Sequence, residues 1–171
     1  MGYEEIPLSL DELRQLSLWA ADCAERALPL YEAVAPGDRR PREAIEAVRA
    51  FGAGGKRTKQ IRTTAWAALK AAGEADDPAA EAAARAAVGA AGSAYLHPLA
   101  APTQVKHVVA AAQYAAYARE LADGDAAAEI QWAIDHVPPT VRDVLARFPE
   151  GKPGRNRLGE LHRQLEAGLR D

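Results

Sequence analysis

Apolar residues recur every three or four positions along almost the whole chain, and this spacing constrains the fold more than any other feature. On an α-helix, residues at this spacing lie on one face. No run of alternating β-branched residues indicates a strand. Alanine, the best helix former, is abundant, whereas aromatic residues make up only 6% of the chain. The sequence therefore predicts an all-α protein, a compact antiparallel bundle of about seven to eight helices.

Capping and breaking signals mark the ends of several helices. Ser9 and Glu12 have the spacing of a capping box, in which each side chain bonds the backbone N–H of the other residue. Gly89 and Gly92 share a face of the alanine-rich fourth helix, which we expect to run to about Leu96. A face of such small residues indicates that another helix packs closely against it. Further predicted helix starts are Pro41, Asp77–Pro78, Pro102 or Thr103, and Asn156.

The cysteine content, the charge and the start of the chain limit the class of protein. The single cysteine, Cys23, allows no internal disulfide, which is typical of a reducing compartment. The first residues are acidic and no long uncharged apolar stretch occurs, so neither a secretory signal nor a membrane span is predicted. The net charge of −3 does not favour nucleic acid as a partner. We expect one soluble, cytoplasmic helical domain over residues 1–171, with its core at about 9–169.

Two histidines form the first candidate site. His97 ends the predicted fourth helix, because Pro98 forces it out of helical geometry, and His107 lies early in the fifth. The short connection allows the two imidazoles to approach each other at one end of the bundle. Such a pair can transfer protons or bind a metal, although zinc needs further ligands and we predict no metal and no cofactor. Alternatively, His97 caps a helix and His107 lies at the edge of an amphipathic face.

Asp22 and Glu25 form the second candidate site, because residues three apart share a face of the first helix. Paired carboxylates can act as acid and base where one of them is buried. Alternatively, they belong to a solvated face on which Arg26 is their ion partner. We interpret Cys23 as a small core residue rather than a nucleophile, since its sequence neighbours are acidic.

A basic stretch lies at the start of the third helix and comprises Lys56, Arg57, Lys59 and Arg62. Arg62 and Trp66 are four residues apart, which would allow the guanidinium group to stack on the indole ring. The stretch could hold a phosphate or an acidic partner surface. We favour the simpler interpretation of a solvated helix end.

A second basic group surrounds the apolar stripe of the last helix. An amphipathic helix that closes a core keeps its polar side in water. We therefore expect this group to form the wet side of the helix. Its members are Arg155, Arg157, His162 and Arg163.

Three stretches of the sequence are informative as a set. They are LDEL at residues 10–13 leading into AADCAE at 20–25, RPREAIEA at 40–47, and AYLHPL at 94–99 followed by TQVKH at 103–107. Together they resemble the immunity-protein-five-like helical family of actinobacteria. The resemblance implies an all-α cytoplasmic domain. It also implies a protein partner, because members of the family are assigned, largely from gene context, to neutralise toxins.

The resemblance also singles out polar positions on several different helices. If their side chains converge, they form a polar pocket inside the bundle, which would suit a small ligand. The candidates for catalysis are Asp22, Glu25, His97 and His107, and the candidates for ligand binding are Arg42, Arg49, Arg62, Trp66, Arg85, Tyr95 and Gln104.

Two functions therefore compete. An immunity-type protein that binds and neutralises a partner protein or toxin should present an exposed patch with aromatic or arginine anchors. The alternative is a small acid–base enzyme or small-ligand-binding protein that uses a polar pocket around His97 and His107. Natural-product metabolism is one setting in which such a scaffold could act. That function requires an enclosed cavity with perturbed ionisable groups. Nucleic-acid binding through residues 56–62 ranks last, and the sequence determines neither the toxin or ligand nor the oligomeric state.

Overall fold

The computed structural model describes residues 2–171 and confirms the all-α prediction. Within this range the chain forms eight α-helices and no strand. The short segment before the first helix forms only an isolated bridge, between Glu5 and Leu99. The helices are α1 (Leu10–Glu32), α2 (Arg40–Gly52), α3 (Lys59–Glu74), α4 (Pro78–Gly92), α5 (Lys106–Asp123), α6 (Ala126–His136), α7 (Pro139–Ala146) and α8 (Arg157–Arg170).

The helix starts follow the local signals of the sequence. The Ser9 hydroxyl accepts from the Glu12 N–H at 3.1 Å, and the Glu12 carboxylate accepts from the Ser9 N–H at 2.9 Å, so the predicted capping box is present. Such caps satisfy N–H groups that have no partner within the helix. Three other predicted start signals, Pro41, Asp77–Pro78 and Asn156, are found at the starts of α2, α4 and α8. Pro102 instead begins a 3₁₀ segment, Pro102–Val105, and α5 itself begins at Lys106.

The fourth helix ends earlier than the sequence predicts. It stops at Gly92 rather than near Leu96, because Ser93–Tyr95 tighten into a 3₁₀ turn. The Ser93 hydroxyl donates to the Ala90 carbonyl oxygen at 2.6 Å and holds this turn against the end of α4. As a result, Tyr95 lies beside the start of α3, where it becomes part of the candidate site.

Helix α4 occupies the centre of the bundle, where it packs against α1, α2, α3 and α5. Nine of its alanines are buried, and these small side chains let neighbouring helices approach closely. A Cβ atom added at Gly89 would lie 2.8 Å from the Ala111 nitrogen and 2.9 Å from the Ala110 carbonyl carbon. The close packing predicted from Gly89 and Gly92 is therefore present, and α5 is the helix involved.

Larger side chains fill the space around this alanine-rich centre. Trp19 is buried, and its indole N–H donates to the Ala133 carbonyl oxygen at 3.1 Å, which links α1 to α6. Buried apolar side chains from Ile6 to Leu169 form one continuous cluster. Within residues 2–171, no helix combines the length and the apolar character needed to cross a bilayer. The largest fully buried side chains include Leu16, Leu28, Phe51, Ile61 and Leu145.

Replacing Gly89 with Ala should destabilise the protein by about 2 kcal/mol, because the new methyl group meets the α5 backbone, which cannot move aside without shifting a helix. The free energy of unfolding, measured in urea, tests this. Gly73→Ala is the matched control, since an added Cβ at this exposed position of α3 meets no atom within 4 Å. That variant should gain about 0.5–1 kcal/mol, because alanine restricts the unfolded chain. Equal effects of the two substitutions would contradict the packing described.

Candidate functional site

The side chains singled out by the sequence do not meet in one cavity. Asp22, Glu25 and Arg49 form one group, and Arg42 and Arg85 each lie elsewhere in a separate ion pair. The remaining candidates lie near the end of α4, around the turn that precedes α5. They are Arg62, Trp66, Tyr95, His97, Gln104 and His107.

Arg49 of α2 bridges the two carboxylates of the first group. Its guanidinium group donates to Asp22 at 2.8 Å and also to Glu25. The expectation that Arg26 is their partner is wrong, because Arg26 pairs with Glu129 of α6 instead. Both carboxylate side chains remain about half exposed, at 53% and 51%. The burial that acid–base chemistry at these carboxylates would require is therefore missing.

Arg42 and Arg85 are engaged in ion pairs that stabilise the fold. Arg42 donates to both carboxylate oxygens of Glu32 at 2.6 and 2.8 Å, and this bond lowers the pKa of Glu32. Such a two-pronged contact joins the start of α2 to the end of α1. Arg85 pairs with Glu81 one turn away at 3.3 Å, as their spacing predicts.

The two histidines lie at the same end of the bundle, but in different environments. His97 is exposed, and its backbone N–H donates to the Gln104 side-chain oxygen at 2.9 Å. His107 is half-buried, and a Cβ added at Gly92 would lie 3.8 Å from its Nδ1 atom. Burial lowers the pKa of His107, and the nearby charges of Lys106 and His97 lower it further. The charge of His97 therefore acts on the His107 ring, in keeping with the short connection between them.

A metal is not indicated at this pair by the geometry of the described residues. Within residues 2–171, no three histidine, cysteine, aspartate or glutamate side chains are grouped so that they could hold a metal ion. In the same range, neither His97 nor His107 forms an ion pair with a carboxylate. Cys23 is buried in the core, and burial raises the pKa of its thiol, so its interpretation as a core residue is confirmed.

The two arginines of the basic stretch converge on one aromatic ring. The guanidinium carbon of Arg62 lies 4.8 Å from the centre of the Tyr95 ring, and that of Arg57 lies 5.7 Å from it. Arg57 also donates to the Ala94 carbonyl oxygen at 3.0 Å. Arg62 therefore stacks on Tyr95 rather than on Trp66, although the four-residue spacing allows the latter, because the 3₁₀ turn brings the Tyr95 ring under the guanidinium group.

Trp66 remains in water beside these arginines. Its side chain is 65% exposed, more than any other large apolar residue in the described part of the chain. It lines an open groove of about 230 Å³ together with Leu69 and Val88. We call this surface the α3 face, and it consists of Arg57, Arg62, Trp66, Leu69, Val88 and Tyr95.

The α3 face carries positive charge that the fold leaves uncompensated. No aspartate or glutamate occurs in the sequence between Glu46 and Glu74, although the whole chain has more acidic than basic residues. Among residues 2–171, no carboxylate lies within ion-pair distance of Arg57 or Arg62. Several other arginines, by contrast, join separate parts of the fold through carboxylates, as in the pairs Arg147–Glu12 and Arg157–Glu120. The α3 face thus combines aromatic rings with arginine side chains that have no carboxylate partner in the described part of the chain.

A buried ion pair that sequence reasoning missed lies on another side of the molecule. Glu129 is only 8% exposed and accepts two hydrogen bonds from Arg26, at 2.9 and 3.0 Å. The Arg26 guanidinium group also lies 4.3 Å from the Trp132 ring centre, and the Trp132 ring stacks on His136. Helix periodicity could not indicate this contact, because its partners are far apart in the sequence.

The C-terminal basic group is not uniformly wet. Arg155 and Arg163 are exposed, as predicted, but His162 is buried, with only 6% of its surface exposed. Arg157 is tied to Glu120 of α5, and this bond lowers the pKa of Glu120. The prediction is wrong for His162 because the loop before α8 folds back over it at Gly151.

Comparison with known proteins gives one result. A family model described as "Imm-5 like putative immunity protein" matches residues 7–140. The chain belongs to this family. The matched region contains the whole α3 face and every candidate site residue, whereas α8 lies outside it. No curated protein and no solved structure shows significant similarity to the chain.

Replacing Glu129 with Gln should destabilise the protein by about 2 kcal/mol, because it removes the charge of a carboxylate that is only 8% exposed and leaves Arg26 without its counter-ion. Thermal and urea unfolding both test this. The same substitution at Glu81, whose carboxylate side chain is 42% exposed, should change the free energy of unfolding by less than about 0.5 kcal/mol. If the Glu81 variant loses as much stability as the Glu129 variant, burial is not the cause.

The titration of His107 should reflect its burial. We expect its imidazole to titrate below the ordinary value of 6.5 in an NMR titration. Because the unfolded chain then binds the proton more readily, the stability that neutral His107 contributes is present above that value and is lost as the pH falls below it. Lys106→Gln should raise the pKa of His107, whereas Lys70→Gln, the same charge change on α3, should not. An unchanged midpoint in the Lys106 variant would contradict this account.

Proposed function

We propose that the chain is an immunity protein that binds a partner protein, a toxin, through the α3 face and thereby neutralises it. The observation that carries this proposal is the exposed Trp66 set among Arg57, Arg62 and Tyr95. Tryptophan, tyrosine and arginine are the residues that most often dominate the energy of protein interfaces. Membership of the immunity family supports a protein as the partner.

The arrangement of the arginines favours an acidic partner surface. Both guanidinium groups face the Tyr95 ring, and the Arg57 hydrogen bond to Ala94 restricts its side chain further. A side chain that is already ordered loses less conformational entropy on binding. Because the fold supplies neither arginine with a carboxylate, a partner's aspartate or glutamate can pair with them, and these contacts would also speed association.

The shape of the face suits a protein better than an enclosed small molecule. The groove beside Trp66 is open, with a volume of about 230 Å³, and apolar residues form most of its wall. An apolar side chain of the partner can enter it while the arginines bind the surrounding charge. This combination of an apolar centre and a charged rim is typical of protein interfaces.

The alternative function, a small acid–base enzyme or ligand-binding protein around His97 and His107, has less support. His97 is exposed, and Asp22 and Glu25 are held apart from the histidines by their pairing with Arg49. A catalytic site would require these groups to converge in a protected cavity. We further propose that the protein acts in the cytoplasm, in keeping with its single, unpaired and buried thiol.

Replacing Trp66 with Ala should abolish neutralisation while leaving the fold intact, since its side chain is largely exposed. The test is co-expression in a bacterial host with toxin candidates encoded by neighbouring genes, with growth as the readout. With the purified pair, Kd should rise at least about 30-fold, which corresponds to about 2 kcal/mol. Arg62→Glu should have a similar effect, because it places like charge against an acidic partner.

Matched controls separate the α3 face from the rest of the surface. Leu121→Ala removes another exposed apolar side chain, and Arg155→Glu makes the same charge change on an exposed arginine elsewhere. Both controls should still protect the host. Full protection by the Trp66 variant would overturn the proposal. So would a salt-dependent affinity of the α3 face for an oligonucleotide combined with no effect on any toxin.

A further inference from the structure

A depression separate from the groove of the α3 face lies at the N-terminal end of α5. The segment before α1, the start of α5 and the loop before α8 meet there. Its volume is about 270 Å³. Part of its wall is apolar, formed by two proline rings and by an aromatic side chain that is 60% exposed, that of Tyr3. None of its lining residues belongs to the α3 face. The residues that line it are Tyr3, Pro102, Thr103, Lys106, Lys152, Pro153 and His162.

The charged groups of this depression are all positive. Lys106 is in the first turn of α5, Lys152 is in the loop before α8, and both are exposed. In the described part of the chain, no carboxylate lies within ion-pair distance of either lysine, and none lines the depression. Two ammonium groups on separate elements that face one space favour an anion there.

His162, at the base of the depression, has a buried nitrogen atom without a partner. The side chain is more than nine-tenths buried, and its Nε2 atom makes no hydrogen bond. Oε1 of Glu166 lies 3.6 Å from this atom and already accepts a hydrogen bond from the Gly151 N–H at 2.7 Å. A buried polar atom without a partner is costly and rare, so its presence beside a cationic depression requires an explanation.

Several charged groups face this imidazole. Glu166 favours its protonated form, whereas Arg163 and Arg170 on the same helix oppose it. Lys106, Lys152 and Tyr3 line the same depression from the other elements that form it. Burial is the largest effect and lowers the pKa of His162. Burial thus disfavours the charged form of the ring, and an anion bound in the depression would offset part of this cost.

We propose that this depression binds a small organic anion, a carboxylate or phosphate monoester attached to an apolar ring. Lys106 and Lys152 hold the anionic group, and the ring packs against Tyr3, Pro102 and Pro153. The bound anion favours the protonated form of His162, and the positive charge strengthens the attraction between its Nε2–H and Glu166. The proposal is independent of the α3 face, and most of the loop and helix that it needs lie beyond residues 7–140.

The experiment is an NMR titration of the full chain with phenyl phosphate, benzoate and inorganic phosphate. We expect saturable shifts confined to the depression, with both ring-bearing anions binding at least about fivefold more tightly than inorganic phosphate. Lys106→Gln combined with Lys152→Gln should weaken them at least about tenfold. Lys56→Gln combined with Lys59→Gln, the same charge change before α3, should leave the affinity within about twofold. Neither pair of lysines is buried, so folding is not at risk.

Proton uptake provides a second readout. Benzoate stays ionised over the range used, and it should bind at least about threefold more tightly at about pH 5.5 than at about pH 7.5. His162→Asn should abolish this difference. The proposal is overturned if none of the three anions gives a saturable shift, if both lysine pairs weaken binding equally, or if inorganic phosphate binds as tightly as phenyl phosphate. It is also overturned if benzoate binding is independent of pH.

Discussion

The close contact between α4 and α5 at Gly89 is the constraint on which the rest of the structure depends. Because the α5 backbone lies where a side chain would otherwise stand, α4 can occupy the centre of the bundle and reach four other helices. Alanine makes this possible, since it separates helix axes the least and costs no side-chain entropy on folding. The aromatic and larger aliphatic side chains then fill the periphery of the core, as Trp19 and Phe51 do.

The position of the α3 face follows from this packing. With α4 ending at Gly92, the 3₁₀ turn places Tyr95 against α3, and Arg57 and Arg62 gather over its ring. The side chains on which a binding surface depends are thus held by the end of the most deeply buried helix. Such support matters because an interface residue that is already ordered loses less conformational entropy when the partner binds.

The ion pairs show which arginines are neutralised within the fold and which have no carboxylate partner among residues 2–171. Arg26, Arg42 and Arg49 join helices through carboxylates, and these bonds account for several of the polar positions that the sequence singled out. Arg57 and Arg62 differ because no acidic residue lies near them in the sequence or in the fold. The family match covers this face but not α8, so the depression at His162 combines Pro102, Thr103 and Lys106 of the matched region with residues that lie outside it.

The sequence by itself determined the helices and their starts, because caps, prolines and a three-to-four-residue apolar spacing act within a few positions of one another. It also gave the close approach at Gly89. Only the tertiary structure decided which charges pair and which side chains are covered: Arg49 rather than Arg26 holds Asp22, and His162 is buried while Trp66 is exposed. Burial and ion pairing depend on residues that are distant along the chain, and local periodicity contains no information about which of them meet.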